Sequence, residues 1–110
     1  MAYDEELAER IRQALDGEAG ITEKRMFGGL AFLVGGNMAV AASGQGGLMV
    51  RIDPSDAEIL TEDPHARRME MRGREMDGWL RVESAGAESA EDLQRWVETG
   101  LTYARSLPTK

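Results

Sequence analysis

The chain contains no cysteine, which excludes a disulfide framework, a thiolate nucleophile and a thiolate metal ligand. It contains one histidine, His65, with no second histidine or cysteine at metal-ligand spacing and no nucleophile beside it in sequence. Aromatic residues make up only 5% of the 110 residues. Phe27, Phe32, Trp79 and Trp96 read as packed, which leaves few rings for stacking on bases. No apolar run is long enough to cross a bilayer. Asp4, Glu5, Glu6 and Glu9 occupy the region where the basic and apolar parts of a secretory leader would lie. Lysine and arginine number 13 against 20 carboxylates, and the resulting net charge of −7 repels a phosphate backbone. These absences predict a cytoplasmic protein, with no membrane association and with nucleic acid disfavoured as a partner.

What is present is enough for a single domain over residues 1–110, with 42% hydrophobic residues and one modest core. The most structured stretch is 24–52, where four short apolar runs are separated by glycine pairs, as in an antiparallel meander. The run 30–34 is apolar at every position and reads as a central strand. Met38, Val40 and Ala42 alternate with Ala39 and Ala41. Leu48, Val50 and Ile52 alternate with Met49 and Arg51, a half-buried pattern.

A helix is expected over about 3–16, where Tyr3, Leu7, Ile11 and Leu15 recur at helical spacing. Asp53 and Pro54 start a short helix. A hairpin follows, with alternating residues at 68–72 pairing with 79–83 and Asp77-Gly78 helping to turn the chain. Ser89 with Asp92 resembles a capping box, and Leu93, Trp96, Val97, Gly100, Leu101, Ala104 and Leu107 mark the apolar face of a last helix. The predicted fold class is α+β, a mostly antiparallel sheet of about six strands. It comprises a four-strand meander plus a hairpin, covered by N- and C-terminal helices, with a short helix between.

Sites of chemistry are sparse. His65 reads as an exposed loop residue, since catalytic histidine needs a geometrical partner. Ser43 lies in Ala42-Ser43-Gly44-Gln45-Gly46-Gly47, which lacks both the glycine spacing of a nucleophile elbow and the Lys-Ser/Thr pair of a phosphate loop. Asp53, Asp56 and the acidic run 88–92 sit at helix starts, where they complement the dipole. Met26, Met38, Met49, Met69, Met71 and Met76 fall in the sheet region and read as packing, with Met49 on the strand face of Arg51. No catalytic, cofactor-binding or metal-ligating residue is assigned. The arginines are the candidates: Arg67, Arg68, Arg72 and Arg74 from one hairpin, with Arg51 and Arg81 nearby on the sheet. Guanidinium groups suit carboxylate or phosphate recognition; the competing reading is a charged strand edge that blocks aggregation.

The run Arg25-Met26-Phe27-Gly28-Gly29 resembles the N-terminal domain of the TfoX/Sxy family, named for regulators of bacterial competence. Gly36-Asn37-Met38-Ala39, Leu48-Met49-Val50-Arg51-Ile52-Asp53 and the closing amphipathic helix support the resemblance, which covers nearly the whole chain. It implies an α+β fold with an antiparallel sheet. It offers no catalytic residues to carry over, and the run itself has a structural reading: Met26 and Phe27 pack while Gly28-Gly29 turn the chain. Full-length competence regulators of the family also carry a C-terminal helical domain. None is expected here, so the chain reads as a stand-alone N-terminal domain.

The expected function is a non-enzymatic regulatory or protein-interaction module without cofactors. Its protein partner is unknown, and its uncovered strand edge is compatible with a homodimer. The alternatives are a direct nucleic-acid-binding transcription regulator, which the acidity weighs against, and a small-molecule binder or small enzyme.

Overall fold

The computed structural model describes residues 3–26, 28–71 and 73–109, apart from the side chains of Met71 and Asp77. Phe27 and Arg72, both singled out from the sequence, lie outside the described residues. The first helix, α1 (Glu5–Ala14), is shorter than the apolar periodicity suggests, because Asp4 caps it: its carboxylate accepts the Leu7 N–H at 3.1 Å. Strands β1 (Ile21–Met26), β2 (Gly29–Val34), β3 (Asn37–Ala42) and β4 (Leu48–Arg51) form the meander. A 3-10 turn over Pro54–Asp56, capped by Asp53, leads into α2 (Ala57–Leu60). Strands β5 (Ala66–Met71) and β6 (Arg74–Val82) and the long α3 (Ala90–Ser106) complete the chain.

The described residues form one six-stranded sheet in the order β1-β2-β3-β4-β6-β5, with every adjacent pair antiparallel. The fold is therefore α+β, as the pattern of runs predicts. Two local expectations fail. The hairpin between β5 and β6 turns at Gly73, which has φ +77°, rather than at Asp77-Gly78. Asp77 and Gly78 lie inside β6 at a register break, where Arg68 faces Leu80 but Met69 faces Met76. The segment freed from β5 there turns to β4: the Gly78 carbonyl accepts the Ile52 N–H at 3.0 Å, and Trp79 pairs with Arg51. A second irregularity, between Phe32 and Leu33, separates Met38 from the face of Val40 and Ala42. Met38 packs instead with Ala41.

The two faces of the sheet have different fates. Leu30, Phe32, Val40, Leu48, Val50, Leu80 and Val82 meet Leu7 and Ile11 of α1 and Leu93, Trp96, Val97 and Leu101 of α3 in the main core. Phe32 and Trp96 are its largest side chains, and truncating either to alanine would remove about 3–5 kcal/mol of stability. Gly100 lets α3 lie directly on β3, because a Cβ there would collide with the Ala39 carbonyl oxygen. The helix is anchored at its start by Ser89, whose hydroxyl accepts the Asp92 N–H at 3.0 Å. Beyond its end, the buried Asn37 side chain donates to the Pro108 carbonyl at 2.9 Å. Among the described residues, no helix is long and apolar enough to cross a membrane.

Candidate functional site

Alternation along the strands places a second set of residues on the face away from the helices. Ala31, Met38, Ala41 and Met49 form a separate apolar cluster, with Met26, Leu33, Met69 and Trp79 packed against it half-buried. Each of these residues belongs to a strand, whereas the buried residues of all three helices belong to the main core. On this face Met38 and Met49 are buried, and Met26, Leu33, Met69 and Trp79 are the partly exposed apolar residues around them. Methionine suits such a position, since its unbranched thioether adapts to differently shaped contacts.

Cations surround the cluster, and the register fixes where. Lys24 pairs with Ala31 and lies at the β1 edge of this face. Arg51 pairs with Trp79, Met49 with Arg81, and Arg81 in turn with Arg67 at the β5 edge. The Arg51 guanidinium lies 5.0 Å from the Trp79 ring centroid and 5.8 Å from that of Tyr103 on α3. At the other end, Ser43, Met49, Arg67, Arg68, Met69 and Arg81 line a cleft of about 480 Å³, with Glu70 on its wall. Arg81 donates to the Ser43 hydroxyl at 3.0 Å and to the Gly46 carbonyl at 2.9 Å. Arg67 reaches Glu83 at 3.4 Å and is 62% exposed.

Of the arginines singled out from the sequence, the structure brings Arg67, Arg68 and Arg81 together at the cleft. Arg51 stands apart on Trp79, and Arg74 is exposed beside the turn at Gly73. Sequence reasoning missed Trp79, which read as packed: it is half-buried on the open face. It also missed Ser43, only 4% exposed, as a member of the cleft. The alternation of Met49 with Val50 and of Arg81 with Leu80 and Val82 carried the signal for the face. No signal gave the strand order that joins β4 to β6.

In the run 25–29, Arg25 is exposed and Met26 packs on the open-face cluster. Gly28 makes the turn with φ +76°. Gly29 has a different task from the one expected: it is the first residue of β2, and a Cβ there would strike the Ala42 carbonyl oxygen of β3. Elsewhere, His65 is partly exposed, with Nδ1 3.5 Å from a Glu83 carboxylate oxygen. The Asp53 carboxyl is held below its ordinary range by the Ser55 backbone N–H and then by the Ser55 hydroxyl. Among the described residues, no three His, Asp or Glu side chains gather where they could hold a metal ion.

An antiparallel sheet with helices on one face and an arginine-flanked methionine cluster on the other defines a small α+β module. The family described as the TfoX N-terminal domain matches residues 5–104, and the chain belongs to it. This is a family of competence-regulator-like modules. Comparison with curated proteins and with solved structures gave no match.

Proposed function

We propose that the chain is a non-enzymatic interaction module that docks a protein partner on its open sheet face. The observation that carries this reading is an apolar cluster built from strand residues alone, flanked by Lys24, Arg51, Arg67 and Arg81. Large adaptable side chains at the centre and arginine at the border are the composition that protein interfaces favour. The partner segment complementary to it is acidic with one or two apolar side chains: the carboxylates meet the arginines and the apolar groups meet Met69 and Trp79. The distribution of charge agrees, because α1 and α3 both begin with acidic residues while Lys24, Arg51, Arg67 and Arg81 share the register rows of Ala31, Trp79 and Met49 on the other face.

The test is affinity capture from lysate followed by equilibrium binding of the purified partner to the wild type and to a R51E/R67E variant. Arg67 is largely exposed, and Arg51 is half-buried against Trp79 and Tyr103 but outside the main core, so R67E alone is measured beside the double variant. The expected result is at least a tenfold loss of affinity in both variants, with a melting temperature close to that of the wild type in R67E and lowered in the double variant only by the loss of the Arg51–Trp79 contact, about 0.5–1 kcal/mol. Equal affinity for the wild type and both variants would remove the open face from consideration.

A further inference from the structure

We propose that the cleft between β5, β6 and the β3–β4 loop is a binding site for a small oxyanion, a phosphate or carboxylate group carried on a small apolar body. Like charges directly opposite each other across an antiparallel pair are destabilising, yet Arg67 and Arg81 are register partners and line the same cleft. In this chain several arginines are matched by carboxylates: Arg12 to Glu23, Arg95 to Asp63, Arg105 to Glu18 and, at 3.4 Å, Arg67 to Glu83. Arg81 is different. Among the described residues its partners are two neutral oxygens, those of Ser43 and Gly46. These contacts hold the guanidinium in place without neutralising it.

Ser43 supplies the second, independent observation. It is 96% buried, and its hydroxyl oxygen already accepts two hydrogen bonds, from Arg81 Nη1 at 3.0 Å and from the Gln45 N–H at 3.1 Å. Its own proton has no acceptor among the described residues, and Ser43 lines the cleft. A guanidinium fixed by neutral acceptors, a second guanidinium across the strand pair and an unspent hydroxyl proton together form a donor set for an oxyanion. Met49 and Met69 form the apolar part of the lining, which fits a small hydrophobic stem, and about 480 Å³ lies within the range of small-molecule sites. Glu70 stands on the wall and disfavours the anion, so its neutralisation should tighten binding.

The cleft shares Met69, Arg67 and Arg81 with the proposed docking face, but its test uses small anions alone and so reads a different quantity. The protein labelled with ¹⁵N is titrated with inorganic phosphate, phenyl phosphate and benzoate at fixed ionic strength, with chloride as the control. The Arg81 side-chain N–H and the Ser43 and Gln45 amides are followed by NMR. The proposal expects saturable shifts confined to this cleft, a dissociation constant at least tenfold weaker in R67Q and R81Q, and tighter binding in E70Q. Saturation by both phosphates identifies a phosphate site, and saturation by benzoate alone identifies a carboxylate site. Shifts that chloride reproduces, or that persist unchanged in both arginine variants, overturn the site. R67Q alters a largely exposed side chain, so loss of binding in that variant is not loss of fold.

Discussion

Arg51 lies over the ring of Trp79, its register partner across β4 and β6, with the guanidinium carbon 5.0 Å from the ring centroid. The stack shields one face of a half-buried indole and holds a cation beside the methionine cluster. A cation–π contact at such a site contributes about 0.5–1 kcal/mol. Arg51→Ala is therefore expected to lower stability by roughly that amount and to shift the tryptophan emission to the red, since Trp96 is buried and Trp79 carries the change. Unchanged emission would mean that the stack does not persist in solution.

Gly100 offers a sharper test of packing. Alanine is the better helix former by about 1 kcal/mol, so helix propensity alone predicts that Gly100→Ala is stabilising. The collision of its Cβ with the Ala39 carbonyl opposes this, and backbone cannot move aside as a flexible side chain can. Overpacking of this kind costs about 1–3 kcal/mol. Net destabilisation in urea unfolding is expected, and a gain in stability would show that α3 does not sit this close to β3.

Acid should weaken the fold partly through the pair between α1 and β1. Arg12 donates to both Glu23 oxygens, at 2.7 and 2.9 Å, and so holds the Glu23 carboxyl below its ordinary range. Because the folded value is depressed, the contribution is complete above the ordinary carboxylate range and is lost as pH falls through the folded value. Glu23→Gln removes that dependence, so its melting temperature should fall less steeply than the wild type's between neutrality and about pH 3. Parallel curves would indicate that the pair is open in solution.

Much of the fold was legible in the sequence, for reasons tied to particular residues. Alternation at 48–52 placed Val50 inward and Met49 outward, and Ser89 announced α3 as the cap it proves to be. The β5–β6 turn was misplaced because Asp77-Gly78 has hairpin chemistry, whereas Gly73 carries the positive φ and the residues after it extend β6. Met38 was assigned to the wrong face because alternation counts residues and is blind to a bulge. Alternation separates the two faces but does not say which one the helices cover. Whether Val50 or Met49 lies under the helices depends on which side of the sheet α1 and α3 choose, and that is settled by long-range packing around Phe32 and Trp96.

The central claim is that the sheet face without helices is the docking surface, and oxidative footprinting with the purified partner tests it most directly. Met26, Leu33, Met69 and Trp79 are half-buried on that face, while Ile59 of α2 is 68% exposed and serves as the reference. Protection of Met69 and Trp79 on complex formation, with Ile59 oxidised at its free rate, is the predicted result. Protection of Ile59 with unchanged oxidation of Met69 and Trp79 would contradict it and move the interface to the helical side.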